Sequence, residues 1–370
     1  MQLLAAAPDQ EIRVAAGVNG LQNPIRWVHM VEGVEISSFL EGGELAFVTG
    51  IALNENCTLE RLIRNIHQHG AGGVVVNTGP YIKTIPPEVA AFCNAQDFPL
   101  LVVPWRVHMA AIMRRFSQAL LHSEQEQTEW AAAVKNMIFR PQEESLYRPA
   151  LESRGLQSEW SYCVTLLEPA DPACMQACLR AVEDCLAARN TKMYYAELNG
   201  QIVLLCANCT AEEIRADVTA VVQACGAGVY AGTGRETKSV RCLAASYHLA
   251  QKVLNLQKKR QAAGEAAFYA DLGVYRLLMS VEDPELRAYT AAILGPLQAA
   301  DAAGGTSYMD FLRAWLACGC STQRTAEKLF LHRNTVEYHL RRIGTLLHMD
   351  MTALDTRLQL DLALKIADMG

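Results

Sequence analysis

The sequence predicts a multidomain α/β and α protein: an N-terminal α/β domain, an α+β middle domain and an all-α C-terminal domain. Three observations lead to this fold class. Short β-branched runs alternate with helical patterns in the first third of the chain, a hairpin signal joins two strands in the middle, and helical patterns continue after residue 281. The chain is long enough for several domains, since it has 370 residues, of which 51% are hydrophobic and 19% charged.

A mainly parallel sheet is predicted for the N-terminal region, because strands alternate there with helices. The strands are expected at 44–50, 73–77 and 100–104, and the helices near 58–69 and 87–96. In open sheets of this kind, small molecules tend to bind beyond the carboxyl ends of the strands. The residues expected near such a pocket are Thr49, Gly50, Asn77, Thr78, Pro104 and Trp105.

A long helix is predicted after this region, because apolar side chains recur at steps of three and four residues. The repeat has two polar positions in its middle and comprises Met109, Met113, Phe116, Leu120, Ser123, Gln127, Trp130, Val134 and Met137. Two interpretations stay open. The helix is either a parallel dimer helix that transmits signals between domains, or a helix packed against its own domains.

The middle region, about 146–280, combines a predicted hairpin with further strands and helices. Asn199-Gly200 is a strong turn signal between two strands, and other strands are expected at 160–168 and up to residue 231. The following residues, GTGRETKS, precede a helix as a phosphate-binding loop does, but Thr237 replaces the second glycine of that motif. This argues against such a loop, although two glycines before a helix can still bind an anion.

The twelve cysteines do not show the spacing of a metal site. Cys206 and Cys209 form a single C-x-x-C pair that no second pair completes. On the helix expected before residue 189, thiols recur at helical spacing, where they act as small hydrophobic side chains. We expect core packing for the cysteines, with zinc binding or redox sensing as the alternative, and no metal or cofactor.

Residues 321–348 predict two short helices joined by a tight turn. Ser321 is a good N-cap for the first helix, whose apolar stripe is expected to comprise Ala326, Leu329 and Phe330. The second helix is expected to begin at Asn334 or Thr335. Its inward-facing row consists of Val336, Leu340, Ile343 and Leu347. Its other faces carry Arg333, Asn334, Glu337, Tyr338, Arg341 and Arg342.

The charge of this hairpin differs from that of the whole chain. Five Lys or Arg side chains against two acidic ones give residues 321–348 a net charge of +3, within a chain of net charge −6. A basic face in an acidic protein is typical of DNA binding, and a solvated helical hairpin is the alternative. No apolar run is long enough for a membrane span and no secretory signal is visible, so a cytoplasmic protein is expected.

The C-terminal residues also resemble a known family. TAEKLFLHRNTVEYHLRRI, followed by DTRLQLDLALKIA, resembles the helix-turn-helix of the PucR-type bacterial transcriptional regulators, in which an HRNT turn opens the recognition helix. His339 stands where the family usually has an arginine, so a basic contact there is expected to be weaker or pH-dependent. The residues expected to contact DNA are Gln323, His332, Arg333, Asn334, Thr335, Glu337, Tyr338, Arg341 and Arg342. Of these, Gln323, Arg341 and Arg342 are expected on phosphate.

Four stretches of the first 120 residues resemble the N-terminal domain of the same family: AAGVNGLQNPIRWVHMVEG, LEGGELAFVTGIAL, HGAGGVVVNTG and DFPLLVVPW. The resemblance implies a domain that senses a small-molecule effector, purine-related or another catabolite. The residues expected to bind it are Arg26, Trp27, His29, Glu32, Thr49, Gly50, Asn77 and Trp105. Trp27 and His29 alternate along a predicted strand, so packing on its inner face is the alternative for these two.

The middle region resembles the degenerate GGDEF-like domain of the family, an α+β fold of the ferredoxin-like type. The sequences GTGR and SYHLAQKVL, within 232–254, carry this resemblance. The hairpin that holds the acidic signature of a cyclase reads Leu198-Asn199-Gly200-Gln201 here, so cyclase activity is not expected. A nucleotide-handling enzyme or nucleotide sensor is the alternative function through this domain.

The combined prediction is a transcriptional regulator of a catabolic operon. Its segments are a sensor domain at 1–106, a signalling or dimerisation helix at 107–145, a degenerate GGDEF-like domain at 146–280, a helical linker at 281–305 and a helix-turn-helix domain at 306–370. In the linker a helix is expected to end near Gly295-Pro296, and the terminal helix, Leu354 to Ala367, should be buried or contact another subunit. The protein should bind a double-stranded DNA operator and a small-molecule effector as a homodimer or higher homo-oligomer, without enzyme activity.

Overall fold

The computed structural model describes residues 12–189, 191–304 and 307–369. It divides into two compact units, Met1–Glu129 and Trp130–Gly370, and one helix crosses the boundary between them. Each unit contains a five-stranded sheet with helices, and the second unit also contains a helical region. The predicted fold class, an α/β region, an α+β region and an all-α region in this order, is therefore confirmed.

The first unit is built around a mainly parallel sheet. Its strands are β1 (Arg13–Ala16), β2 (Trp27–Met30), β3 (Glu44–Val48), β4 (Gly73–Thr78) and β5 (Leu100–Pro104). Strands β2 to β5 pair in parallel in the order β1-β5-β4-β3-β2, and β1 pairs antiparallel with β5 at one edge. Helices α1 (Leu59–Gln68) and α2 (Pro87–Ala95) connect β3 to β4 and β4 to β5. The predicted parallel arrangement is confirmed.

Both faces of this sheet are covered, because successive side chains of a strand point to opposite sides. With the helices α1 and α2, one face forms a core that includes Ala46, Val48, Leu62, Ile63, Ile66, Val74 and Val76. The other face forms a second core that includes Val28, Phe47, Val75, Leu101, Val103, Ile112 and Phe116. Burial on both sides explains why the strands are almost continuously apolar in sequence.

The long helix α3 (Met109–Phe139) belongs to both units. Its first turns bury Met109 and Phe116 in the core of the first unit, and its last turns bury Trp130 and Met137 in the core of the second. Residues 121–129 are exposed on every side, and both polar positions of the repeat lie in this stretch. The two apolar ends of the helix are thus packed against the protein's own domains, and its middle is exposed.

The second unit begins with a sheet whose strands β6, β7, β8 and β9 pair antiparallel. The strands are β6 (Tyr162–Pro169), β7 (Met193–Leu198), β8 (Gln201–Ala207), β9 (Val229–Thr233) and β10 (Ala266–Phe268). Their order is β10-β9-β6-β8-β7, with β10 parallel to β9. The accompanying helices are α4 (Arg148–Ser153), α5 (Met175–Ala188), α6 (Ala211–Cys225) and α7 (Leu243–Lys259).

The hairpin between β7 and β8 has the predicted two-residue turn. Asn199 and Gly200 have φ angles of 52° and 75°, as the left-handed residues of a type I′ turn do. Leu198 pairs with Gln201 across the turn. The prediction is confirmed, and none of these four residues carries the acidic group that a cyclase needs to hold its metal.

The rest of the second unit is helical. Its helices are α8 (Tyr275–Leu278), α9 (Asp283–Gly304), α10 (Tyr308–Ala317), α11 (Thr322–Leu329), α12 (Arg333–Leu347) and α13 (Leu354–Ala367). The core that α9, α10, α12 and α13 share includes Leu294, Leu297, Leu312, Trp315, Val336, Ile343, Leu360 and Leu364. The bounds of α13 match the predicted terminal helix.

Helix α9 continues beyond the point where the sequence predicted its end. The helix was expected to end near Gly295-Pro296, but it extends through Pro296 to Gly304, so this prediction was wrong. A proline inside a helix removes one backbone hydrogen bond and strains the preceding turn. Leu294 and Leu297, on either side of the proline, are fully buried in the C-terminal core. This packing holds the helix together across the proline, and Ile293, Leu294 and Leu297 of the expected linker lie in that core.

Several cysteines of the second unit lie in its core. Cys163, Cys178 and Cys206 are buried in one cluster beneath the sheet. Burial raises the pKa of the Cys163 thiol to about 12 and also raises the pKa of Cys206, which keeps both thiols protonated and unreactive. Among residues 12–189, 191–304 and 307–369, no group of His, Cys, Asp or Glu side chains comes together as a metal site would require. The structure therefore supports core packing for these thiols.

Candidate nucleic-acid interface

Helix α11 is held in place by a capped start and a packed inner side. The Ser321 hydroxyl accepts a hydrogen bond from the Arg324 backbone N–H, as the predicted N-cap requires. Thr325 is fully buried, and its hydroxyl donates to the Ser321 carbonyl at 2.8 Å. Ala326 and Leu329 pack at the edge of the C-terminal core. The helix is thus a fixed support for the turn that follows it.

The turn after α11 differs from the sequence prediction at Phe330. This side chain was expected to complete the apolar stripe of α11, but it is 94% exposed, so that prediction was wrong. The helix ends at Leu329, and Phe330 adopts the left-handed conformation with φ 54°. A change of backbone hand turns the side chain away from the face on which helical spacing would place it. The apolar stripe therefore ends at Leu329.

Helix α12 begins at Arg333, before both predicted starts, Asn334 and Thr335, because His332 caps it. The Nδ1 atom of His332 accepts a hydrogen bond from the Asn334 backbone N–H at 3.2 Å. In a neutral ring with this bond, the proton lies on Nε2, which is then a donor on an exposed side chain. The cap therefore presents a hydrogen-bond donor at the helix start.

The inner row of α12 is buried and its outer face is exposed, as predicted. Val336 and Ile343 are fully buried, Leu347 is nearly so, and Leu340 is half-buried. The exposed residues of the expected DNA-binding set are Gln323, His332, Arg333, Asn334, Tyr338, Arg341 and Arg342. Thr335 and Glu337 are half-buried. The structure thus brings the predicted residues together at the surface of α12 and the start of α11.

Hydrogen bonds within this face orient several of its side chains. Arg333 forms an ion pair with Glu337 one turn later, with Nε 3.0 Å from Oε1. Arg341 Nε donates to the Glu337 carbonyl at 3.4 Å, and Gln323 donates to Glu327 at 3.2 Å. These contacts are exposed, so they contribute little to stability. Their effect is to order the polar groups that a partner would meet.

His339 does not belong to the exposed face. Its ring lies 5.0 Å from the Phe311 ring and 5.9 Å from the Tyr308 ring, both on α10. Its Nδ1 is buried and has no hydrogen-bond partner among the described residues. The side chain therefore faces the domain's own helices. The expectation of a weak or pH-dependent basic contact at this position has no support in the geometry.

At the carboxyl ends of the parallel strands in the first unit, Glu32 meets two of the expected effector residues. Its carboxylate accepts hydrogen bonds from the Thr49 N–H at 3.0 Å, the Thr49 hydroxyl at 2.6 Å and the Gly50 N–H at 3.1 Å. Glu32 follows β2 and Thr49 follows β3, and these strands are neighbours in the sheet. The carboxylate therefore holds the loop after β3 in place.

Two more expected effector residues lie at the same edge of the sheet. Asn77 is buried, and its side-chain amide donates to the Val103 carbonyl at 3.1 Å. Trp105 is 47% exposed, and its ring meets the Tyr81 ring edge-on with 5.6 Å between centroids. Asn77 is thus used to tie two strands together, whereas the Trp105 ring is accessible. Helical and strand patterns gave no signal for Tyr81.

The remaining expected effector residues lie on β2 or directly before it. Arg26 directly precedes β2 and Trp27 begins it, so both lie at the opposite end of the strand from Glu32. His29 lies half-buried in the middle of the strand. Trp27 is 51% exposed on an edge strand, so inner-face packing does not describe it. A cavity of about 290 Å³ in this unit is lined by Thr58, Glu60, Arg61, Arg64, Asn65 and Gln68. The eight expected residues therefore do not form one site.

The end of β9 and the loop after it use their glycines for packing. A Cβ atom on Gly232 would lie 2.4 Å from the Leu254 nitrogen, and one on Gly234 would lie 2.1 Å from the Ser246 carbonyl oxygen. Helix α7 therefore occupies the space that a phosphate would need beside these glycines. Thr237 is buried and pairs with Tyr162. This geometry argues against the anionic-ligand alternative.

Comparison with known protein families gives three matches along the chain. Residues 2–120 match the purine catabolism regulatory protein-like family, residues 141–256 match a GGDEF-like domain, and residues 308–366 match the PucR C-terminal helix-turn-helix domain. These matches define the class as a helix-turn-helix protein with an N-terminal domain of the PucR kind and a GGDEF-like domain between them. The chain is therefore similar, domain by domain, to the PucR-type transcriptional regulators.

Individual relatives resemble only parts of the chain. The proline-responsive transcriptional activator PutR of Bacillus subtilis is 32% identical over 140 residues, which are 37% of this chain and 34% of the relative. The carbohydrate diacid regulator of Escherichia coli is 33% identical over 34% of this chain and 32% of its own length. The purine catabolism regulatory protein of Bacillus subtilis is 26% identical over 28% of this chain and 20% of its own length. The matched segments thus cover about a third or less of these relatives.

Proposed function

We propose that this protein is a sequence-selective DNA-binding transcriptional regulator of a catabolic operon. The observation that carries this proposal is the geometry of α12, whose apolar row is buried while its start and outer face present polar and basic side chains. A helix held in this way fits the major groove, where its N-terminal residues reach base edges. The relatives named above are described as regulators, which supports the same function.

The positions on α12 suggest a division of roles. Asn334, at the second helical position, can pair with the major-groove edge of adenine, and Arg333 beside it can pair with guanine. His332, which caps the helix through Nδ1, can donate a hydrogen bond to DNA through Nε2. Arg341 and Arg342 lie two turns further on, where a helix moves out of the groove toward phosphate.

Capture of genomic fragments by the full chain, followed by affinity measurements, tests this proposal. For Asn334→Ala we expect about a tenfold weaker affinity for a captured duplex and little change for a random-sequence duplex of equal length, since base contacts specify. For Arg342→Ala we expect weaker binding to both and a salt slope reduced by about one. An equal loss on both duplexes for Asn334→Ala, or a capture without enriched sequences, would contradict the proposal.

We also propose that the first unit binds a small-molecule effector at the carboxyl edge of its parallel sheet. The accessible rings of Trp105 and Tyr81, which meet edge-on, support a planar or apolar group there, and Glu32 positions the adjoining loop. The relatives' names point to catabolites of several kinds, namely proline, carbohydrate diacids and purines. Titration of the full chain with compounds of these three classes, with tryptophan fluorescence as the readout of binding, tests this proposal.

A homodimer or higher homo-oligomer without enzyme activity completes the proposal. Leu354 and Leu358 are 77% and 54% exposed one turn apart on α13, and the middle of α3 is exposed, which supports contacts between copies. The absence of acidic residues from the hairpin turn, Leu198 to Gln201, and the packing of Gly232 and Gly234 against α7 weigh against a nucleotide-handling enzyme. None of the described helices is both long and apolar enough to cross a membrane. Light scattering of the full chain measures the number of copies.

A further inference from the structure

Phe330 is the most exposed large apolar side chain for which the structure gives a value, and the fold does not account for it. The side chain is 94% exposed, and no ring contact or apolar cluster among the described residues includes it. Its backbone is left-handed, with φ 54° and ψ 40°. Bulky residues rarely adopt this conformation, which glycine adopts without the clash of a Cβ atom. Phe330 is therefore unfavourable for local folding in both its backbone and its side chain.

The backbone around Phe330 is fixed, so the ring projects from a defined place. The Leu331 N–H donates to the Ala326 carbonyl at 2.9 Å, and the Phe330 N–H donates to the Glu327 carbonyl at 3.4 Å. Two residues after Phe330, His332 caps the start of α12. The ring thus stands beside the end of α12 that is expected to enter the groove.

We propose that Phe330 contacts the DNA duplex through its ring, against apolar groups at the edge of the groove. This inference rests on the proposed DNA-binding function and adds a residue to its contact surface. The chemistry that fits is either a thymine C5-methyl group or the carbons of a deoxyribose, both of which lie beside the phosphates. A strained residue at a surface turn is often a sign of a functional contact.

The charges near Phe330 favour DNA over a second copy of the chain. The surrounding segment, residues 321–348, has a net charge of +3. Within it, Lys328 and Arg333 flank Phe330 and are exposed, with Arg333 paired to Glu337 and the nearby Glu327 hydrogen-bonded to Gln323. A two-fold interface centred on the ring would place the same patch on both copies, and the basic side chains would then face each other. A duplex brings phosphates to the same positions instead, so basic flanks and an apolar centre are both satisfied.

The test compares Phe330→Gly with His348→Gly in the full chain. His348 is the exposed C-cap of α12 and has the same left-handed conformation, with φ 53° and ψ 42°. Both changes place glycine in a conformation that suits it, so neither should lower the urea midpoint. Only the first removes the ring from the turn. We expect Phe330→Gly to bind a captured genomic duplex about tenfold more weakly than the unaltered chain, the range of one good base contact, and His348→Gly to bind it equally well.

A duplex in which uracil replaces thymine separates the two apolar groups. If the ring contacts a thymine methyl group, the unaltered chain binds the uracil duplex more weakly than the thymine duplex, whereas Phe330→Gly binds the two duplexes equally. If the ring contacts deoxyribose, each protein binds the two duplexes equally. Equal affinity of Phe330→Gly and the unaltered chain for the thymine duplex would overturn the inference alone. If Phe330→Gly changed the mass measured by light scattering but kept the affinity of the unaltered chain for DNA, the inference would also be overturned, in favour of a contact between copies. If the unaltered chain bound no duplex selectively, the proposed function would fail together with it.

Discussion

The helix-turn-helix region and the loop after β9 both resemble sites for phosphate-bearing partners in sequence, yet their residues serve different purposes. On α12, the apolar row does the packing and the polar side chains are exposed. At the end of β9 and just after it, Gly232 and Gly234 themselves are needed for the close approach of α7. The difference shows that a binding motif is informative only where the atoms that would contact the ligand are not already used by the fold.

The largest expected effect that tests this comparison is that of Gly232→Ala. The new Cβ would lie 2.4 Å from the Leu254 nitrogen and 2.5 Å from the Ala250 oxygen, both backbone atoms that cannot move aside singly. We expect the free energy of unfolding to fall by about 3 kcal/mol, the upper range for overpacking. Urea denaturation followed by circular dichroism measures this change.

Gly228→Ala is the matched control. Gly228 precedes β9, and a Cβ atom there would meet nothing within 4 Å. An added methyl group in open space should change the free energy of unfolding by less than about 0.5 kcal/mol. If the two variants were equally stable, Gly232 would not be required for packing against α7. An anionic ligand beside Gly232 and Gly234 would then again be a reasonable interpretation.

The sequence predicted what periodic burial encodes and missed what depends on single backbone angles or distant neighbours. Val336 and Ile343 follow helical spacing because one side of α12 is buried, so pattern alone identified them. Phe330 continues the helical spacing of the α11 stripe, but its own left-handed backbone turns its side chain outward. The contact of Glu32 with Thr49 depends on the pairing of β2 with β3, which no local pattern reveals. Local pattern also did not reveal that α9 continues through Pro296, because its supporting contacts come from distant helices.

An intermediate effect is expected for Ser321→Ala, at the supporting end of the helix-turn-helix. The change removes the hydroxyl that accepts from the Arg324 N–H. We expect a loss of about 1 kcal/mol in the free energy of unfolding, as for other N-caps. Ser321→Asp keeps an acceptor and adds a charge that favours a helix N-terminus, so its stability should match or exceed that of the original residue. Equal destabilisation by both changes would mean that Ser321 acts through packing and not as a cap.

The smallest effect on stability, and an opposite effect on binding, is expected for Glu337→Gln. The change removes the exposed ion pair with Arg333, whose atoms lie 3.0 Å apart, and exposed pairs one helical turn apart stabilise by only about 0.3–0.5 kcal/mol. Removing the acidic group also frees Arg333 for phosphate and makes the face more positive. Non-specific binding is mainly electrostatic, so affinity for a random-sequence duplex at low salt should rise. Arg333→Gln, the matched change on the other partner, should have the same small effect on stability but should weaken binding. If both variants altered affinity in the same direction, the pair would act by orienting the helix surface, and the charge of the face would not govern its contact with DNA.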